Sequence, residues 1–411
     1  MKNQRRWQTA LFLSLVWPGL GQMYNGQLRK TILYTVYTVG IFLLLIAAWA
    51  LLPDLVTYTS PLVMIILCAV PVLIAVEAVI SARRIDDAFV KKPYHRWYYY
   101  IVTALGIMTI NRIAALIIIF YFTQAFKIPT GSMEDTLLPG DFILGNKVLY
   151  GTRLHPFTDR RFPGLARPAP GDIIIFRYPG KAKKDFVKRI VARSGQTVSV
   201  IDTTVLVNGA PVHSPGFIKH TDSCYLPPDI KDFAPLRIPA PSDHITLDSL
   251  PVREQLFMKY LIAQENPKHS VRLDVQCYVN GSPADRNPMF TYAGRKNLPA
   301  TMIPFDDIDN WFILTTTFAT LLPVHSSDSI MIMRRIMFDG KPLHEYTVKY
   351  DNYFVMGDNR ENALDSRFWG FVNKPSIKAK PLIIYFSIRM PDFENNVMPR
   401  IRWERIGQKL Q

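Results

Sequence analysis

Long apolar blocks fill the first third of the chain, and short runs of alternating apolar and polar residues fill most of the remainder. Thr31 to Leu52 carries no charged residue over 22 positions. At about 1.5 Å per residue a helix of that length reaches about 33 Å, enough to cross a hydrocarbon core of about 30 Å. Pro61 to Ala82, interrupted by Pro71 and Glu77, predicts a second span, and Tyr98 to Phe122, interrupted by Asn111 and Arg112, a third. The earlier stretch Ala10 to Met23 is too short to cross, and its Trp17-Pro18-Gly19 break predicts a re-entrant or interfacial pair of helices. It lacks a small-residue cleavage site, so it does not read as a removable leader.

Beyond Ala125 the period changes. β-Branched and aromatic runs at Asp141–Leu144, Asp172–Tyr178, Phe186–Ala192, Thr197–Val200 and Val205–Val207 predict strands, and Asn208-Gly209, Asn280-Gly281 and Asp339-Gly340 read as hairpin or loop turns. Residues 220–345 are proline-rich and weakly periodic apart from a helix expected at Ser249 to Gln264. The expected architecture is a mainly β domain of several small antiparallel sheets on an N-terminal α-helical transmembrane anchor. Residues 1–123 form the anchor, 124–219 and 346–411 the β core, and 220–345 an inserted second subdomain whose purpose is not legible.

Charge orients the anchor. Lys2, Arg5, Arg6, Arg29 and Lys30 precede the first full span, Arg83, Arg84, Lys91, Lys92 and Arg96 lie between the second and third, and the loop 53–60 has no basic residue. The positive-inside rule places both basic segments in the cytoplasm, and three crossings then carry everything after Phe122 to the outer face. Glu77 and Arg112 each cost about 2.5–3.5 kcal/mol at a helix centre. Either the two pair with each other, or Glu77 snorkels to the cytoplasmic end and Arg112 reaches a polar pocket or a thinned bilayer.

The whole chain of 411 residues is 49% apolar with a net charge of +15. Roughly half of that excess belongs to the anchor; the rest reads as a solvated face over anionic lipid, and with no nucleic-acid-binding fold in view, nucleic acid is not an expected partner. Of three cysteines, Cys68 is lipid-embedded, while Cys224 and Cys277 lie outside, where they are either bridged or free and buried.

Candidate chemistry centres on Phe126 to Tyr150, which sets Ser132 just after the last apolar segment. A serine hydroxyl attacks at neutral pH only when a base takes its proton. The eight histidines form no Ser/His/Asp pattern. Lys188 is the other base on offer: Phe186, Val187, Ile190 and Val191 flank the Lys188-Arg189 pair, so one of two cations must face an apolar side of a strand. Taken singly these features are bland, since a Gly-Ser turn is usually a turn, a Lys-Arg pair usually belongs to a solvated edge strand, and Gly357-Asp358-Asn359 is usually an Asx loop.

Jointly they resemble the type I signal peptidases, or leader peptidases, membrane-bound Ser/Lys proteases. The resemblance rests on Ile128-Pro129-Thr130-Gly131-Ser132-Met133, on Gly171-Asp172-Ile173-Ile174-Ile175-Phe176, on Lys188-Arg189 placed 56 residues after Ser132, and on Gly357-Asp358-Asn359-Arg360 with Asp365-Ser366-Arg367. It covers mainly 124–219 and 346–374. It implies Ser132 as nucleophile, Lys188 as base, Thr130 and the Ser132 N–H as oxyanion donors, and Arg189–Asp358 and Asp365–Arg367 as structural ion pairs; the observation that would bear on it most is the Lys188 amine within hydrogen-bond reach of the Ser132 hydroxyl in a pocket without carboxylates. It further implies cleavage of signal peptides after small residues at −1 and −3, no metal or cofactor, and preproteins, the lipid bilayer and the export machinery as partners. The implied location is a bacterial inner membrane, crossed several times, with the catalytic domain on the periplasmic side.

Three positions depart from the family pattern. Ala363 stands where a serine hydroxyl often helps hold the base lysine, Asp135 where proline is usual, and Ala192-Arg193-Ser194-Gly195-Gln196 replaces a more typical Gly-x-Pro-Gly-Asp. Ala363 leaves open a non-catalytic scaffold that binds translocating chains. A penicillin-binding type of site would need Ser-x-x-Lys, but Met133, Glu134 and Asp135 follow Ser132.

Overall fold

The computed structural model describes residues 6–51, 53–85, 92–154, 160–180, 184–212, 218–219, 228–279, 282–283, 289–292, 295–299, 330–389 and 398–410. The chain divides into two compact units, residues 1–124 with 146–153, and residues 125–145 with 154–411.

The first unit holds helices α1 (Trp7–Val16), α2 (Leu20–Tyr24), α3 (Leu28–Leu51), α4 (Pro53–Arg84) and α5 (Trp97–Tyr121). Between α1 and α2 the chain turns at Gly19, whose φ of +108° is strained for any residue bearing a Cβ. Small residues then let α1, α2 and α4 approach closely: Ala10, Ala78 and Ala82 pack together, and a Cβ on Gly21 would stand 2.4 Å from the Ala10 carbonyl oxygen. Gln22 Nε2 donates to Ile74 O at 2.8 Å and Asn25 Nδ2 to Ala78 O at 2.7 Å. Two buried amides thus tie the α2 turn to the backbone of α4.

One expectation for this unit changes, and one of two alternatives drops out. The stretch 53–60, read as a loop between spans, lies within α4; Pro53 is tolerated there because a first-turn N–H has no intrahelical partner to lose. Glu77 does not pair with Arg112. It accepts from Lys30 Nζ at 2.6 Å, Gln22 Nε2 at 2.7 Å and Ser81 Oγ at 3.0 Å. Lys30 opens α3 and Glu77 lies near the end of α4, so consecutive helices bring them together, whereas Arg112 is exposed on α5. Among the described residues, α5 is the one helix long and apolar enough to cross a membrane.

The second unit is mainly β, with several antiparallel sheets. Its strands begin with β1 (Thr123–Lys127), β2 (Asp141–Asn146), β3 (Ile173–Arg177), β4 (Asp185–Arg193), β5 (Thr197–Ile201) and β6 (Thr204–Val207). The main sheet runs β1, β2, the long strand Ile377–Arg389, β3, β4, the strand Asn352–Met356 and the short strand Val372–Asn373. The unbroken apolar run of β3 fits a strand covered on both faces. Ile173 and Ile175 join Ile128, Met133, Leu137 and Ile143 in one cluster. Phe176, on the alternate face, meets Phe186 and Trp369, with ring centroids 6.4 Å away in each case.

A second sheet joins β5, β6, Ala210–Pro211 and Leu236–Arg237. Asn208-Gly209 closes its hairpin as a two-residue turn, with φ of +53° and +79° between paired Val207 and Ala210. Asp339-Gly340 does the same between Phe338 and Lys341, while Asn280-Gly281 lies outside the described residues.

Within 220–345 the helix forms at Val252–Glu265 and is bound into the main sheet, since Gln264 Nε2 donates to Phe371 O at 2.9 Å. A Cβ on Gly370 would come within 2.5 Å of the Phe257 ring. Leu236–Arg237 pairs with β5, and His244–Thr246 pairs with Glu345–Thr347. The weak periodicity assigned to this stretch was an under-reading: Val271–Val279 and Ile330–Phe338 form a nine-residue antiparallel pair, and Val271, Leu273, Val275, Cys277 and Val279 do alternate. Cys224 lies outside the described residues, as do the side chains of Cys68 and Cys277, so the bridge expectation does too.

Candidate active site

Ser132 follows β1 on a loop held from below. Met133 and Leu137 are buried in the core cluster, and Leu137 N donates to Met133 O at 2.7 Å, closing one turn. With neighbours on one side anchored in oil, the half-buried Ser132 side chain is left facing β4. Gly357 permits the next approach: a Cβ there would lie 2.5 Å from Ser132 O and 2.3 Å from the Ala363 Cβ. Asn359 N then donates to Ser132 O at 3.3 Å.

Lys188 sits on β4 with Ile174 of β3 directly opposite. Its ammonium lies 5.6 Å from the centre of the Phe186 ring, and the residue is 3% exposed. Lys188 Nζ and Ser132 Oγ are 2.6 Å apart. Burial, the dominant cause, pushes the amine down to about 8; Asp365 and Asp358 pull it up, and Arg367 pushes it down. About 20% of such an amine is neutral at pH 7.4, against about 0.1% of an ordinary lysine. A neutral amine at this distance presents a lone pair that can accept a hydrogen bond from the hydroxyl, the geometry that general-base activation of an alcohol requires.

Two carboxylates, Asp358 and Asp365, act on the amine, and each is neutralised by an arginine. Arg189 Nε donates to Asp358 Oδ1 at 2.9 Å and Nη2 to Oδ2 at 2.8 Å, with both residues 1% exposed. Arg367 holds Asp365 in the same forked way, with 2.9 Å from Nε to Oδ1 and 2.9 Å from Nη2 to Oδ2. Each bidentate pair is locally neutral, so desolvation decides the lysine. Both cations of the Lys-Arg pair are therefore inside, Arg189 with an acid partner and Lys188 without one.

Further contacts brace the same frame. Arg189 Nη1 reaches Gly171 O at 2.8 Å, and Thr136 Oγ1 donates to Asp358 Oδ2 at 2.6 Å. Asp365 Oδ2 accepts the Gly357 N–H at 3.1 Å. Asp358 therefore joins β4 to the nucleophile loop, and Asp365 fixes the backbone that passes beneath Ser132. Thr130 is exposed on this loop, and neither its hydroxyl nor the Ser132 N–H has a hydrogen-bond partner among the described residues. Ala363 is buried against Gly357 and offers no hydroxyl, so among the described residues Ser132 is the one hydrogen-bond partner of the Lys188 amine. Asp135 has a φ of +76°, which proline cannot adopt, so that departure is a different backbone and not a neutral exchange. No cluster of three or more His, Cys, Asp or Glu able to hold a metal occurs among the described residues.

Glu134, Thr136 and Lys219 carry no role in the sequence pattern, and Asn359 enters it only as part of the Gly357–Arg360 block. Glu134 and Thr136 lay in plain view beside Ser132, but nothing local shows that residues 219 and 359 return to them.

The described site thus sets one serine hydroxyl against one buried lysine amine on a β scaffold. The family model for signal peptidase, peptidase S26, matches residues 95–237 and 245–386, and the chain belongs to that family. It is similar to signal peptidase I of Aquifex aeolicus, 29% identical over 305 residues that cover 71% of this chain and 87% of the relative. Signal peptidase I of Helicobacter pylori is 25% identical over 318 residues, covering 73% and 89%. That of Pseudomonas aeruginosa reaches 40% over 95 residues, covering 23% and 33%.

Proposed function

We propose that the protein is a serine endopeptidase that removes N-terminal signal peptides from exported preproteins, with Ser132 as nucleophile and Lys188 as general base. The 2.6 Å contact between a buried amine and Ser132 Oγ carries this reading. Lys188 takes the Ser132 proton as Oγ bonds to the scissile carbonyl carbon. The oxyanion falls to the Ser132 N–H and the Thr130 hydroxyl. Collapse of the tetrahedral adduct expels the new amine, which takes the proton from Lys188 and leaves an acyl-enzyme. A water then gives a proton to Lys188 as its oxygen bonds to the ester carbonyl carbon; the bond to Ser132 Oγ breaks, Oγ takes the proton back from Lys188, and the signal peptide leaves as a carboxylate. Arg189–Asp358 and Arg367–Asp365 keep the two strands in register and do not react.

The substrate adds as an extended strand, and shallow pockets beside Ser132 select small residues at −1 and −3. The anchor, read as spans at about 31–52, 61–82 and 98–122, places the catalytic unit on the periplasmic face of a bacterial inner membrane, where it meets chains delivered by the export machinery. The short Ser132–Lys188 contact weighs against a scaffold that merely binds, since a binding surface needs no dry lysine.

The test is cleavage of a preprotein by the detergent-solubilised full chain. Ser132→Ala should leave the preprotein intact, and wild-type turnover in that variant would defeat the assignment. In the wild type, kcat/KM should rise about tenfold per pH unit below pH 8 and level off above it, because only the neutral amine is a base. A rate that falls with rising pH through that range would exclude Lys188 as the base.

A further inference from the structure

Glu134 lies two residues beyond Ser132 and is bound by two groups that are distant in sequence. Lys219 Nζ stands 3.0 Å from Glu134 Oε2, and Asn359 Nδ2 donates to the same oxygen at 3.2 Å. The Asn359 amide also donates to Gly131 O at 3.1 Å. With two acceptors in front of it, the NH2 face of that amide has only one orientation open. Lys219 is fixed from the other side, its N–H donating to Asp358 O at 2.9 Å and its carbonyl accepting from Arg360 N at 3.0 Å. Gly131 leaves room for the carboxylate, since a Cβ there would meet Glu134 Oε1 at 3.2 Å.

The peptide between Gly131 and Ser132 is planar and trans, so its carbonyl oxygen and its N–H point in opposite directions. Gly131 O also accepts from Glu134 N at 3.0 Å, so the backbone turn and the Asn359 amide hold this oxygen together, and fixing it fixes the direction of the Ser132 N–H. We propose that Lys219, Glu134 and Asn359 form a relay that aims this N–H at the developing oxyanion, with Glu134 and Lys219 acting as positioning residues for the acylation step. The proposal rests on Ser132 being the nucleophile. Asp135, at φ +76°, turns the chain immediately after Glu134. The Glu134–Lys219 pair is about one-third exposed, with side-chain exposures of 31% and 35%, so its loss leaves no buried charge behind.

The experiment compares Glu134→Ala, Glu134→Gln, Lys219→Ala, Lys219→Arg, the Glu134→Ala/Lys219→Ala double variant and Ser132→Ala in the full chain in detergent. Each is assayed for kcat and KM on a preprotein, for inhibition by a peptide aldehyde that forms a tetrahedral adduct, and for Tm. Glu134→Ala and Lys219→Ala should each lower kcat about tenfold with KM within twofold. Aldehyde affinity should fall in parallel, because the adduct uses the same N–H. The double variant should be no slower than the slower single, and Glu134→Gln and Lys219→Arg should recover most of the rate. Wild-type kcat in both alanine variants, alongside an inactive Ser132→Ala, overturns the relay and leaves the nucleophile assignment standing. A drop in Tm without recovery by the conservative variants marks a structural role and also overturns it. Full activity in Ser132→Ala overturns the nucleophile assignment, and the relay with it.

Discussion

Lys188→Met should abolish signal-peptide cleavage and at the same time make the protein more stable. Removing the base from a coupled nucleophile and base costs at least about 10⁴-fold in kcat. The stability effect has the opposite sign because the folded protein holds this amine at about 8, below its unfolded value of about 10.4. Below pH 8 the lysine is protonated in both states, and folding must bury an ammonium. Burying it costs on the order of 3 kcal/mol, in full below pH 8 and fading as the pH rises toward 10.4. Methionine has similar length and no charge, so the gain in Tm should be largest near pH 7 and should shrink in alkaline buffer. A lower Tm than wild type at pH 7, or a gain that ignores pH, would show that burial is not what holds the amine down. Activity and stability are opposed at this residue, as expected where a site stores an unfavourable charge state.

Asp358→Ala should be the most destabilising single change in the β unit. It strands the Arg189 guanidinium, 1% exposed, without its bidentate partner, which typically costs 3–5 kcal/mol. It also leaves the Thr136 hydroxyl, 2.6 Å from the lost carboxylate, without that acceptor and loosens the tie between β4 and the Ser132 loop. The Arg189→Met/Asp358→Leu double variant should fold with stability much closer to wild type, since replacing both charges removes both desolvation penalties. Its cleavage rate should nevertheless stay low, because apolar contact cannot hold β4 and the Ser132 loop at one fixed spacing. Thermal unfolding of the full chain in detergent, set beside preprotein cleavage, separates the two effects. A double variant that regains full activity would show that the ion pair contributes stability alone.

The resemblance of four ordered blocks led to Ser132 and Lys188 because their chemistry is carried by residue types at a recognisable spacing. Strands at β3, β4, β5 and β6 were legible from β-branched runs, and the hairpin at Asn208-Gly209 from a turn that demands positive φ. The pair Val271–Val279 and Ile330–Phe338 went unread although its first strand alternates, since a partner more than fifty residues away sends no local signal. The Glu77–Arg112 pairing failed for a related reason. Depth along separate helices cannot be counted from sequence, and Lys30, at the start of α3, was the residue that met Glu77.

The sequence by itself determined one membrane-length apolar helix, the switch to a β domain and the ordered blocks that carry Ser132 and Lys188. Tertiary structure decided what state that lysine is in and which groups surround the serine. A lysine's basicity depends on the water it loses and on the net field of neighbours, and the two acids nearest in effect, Asp358 and Asp365, count for little only because Arg189 and Arg367 neutralise them. The contacts among Gly131, Glu134, Lys219 and Asn359 likewise exist only once the chain has folded back on itself, because hydrogen bonds reach about 3 Å in space, whatever the distance along the chain.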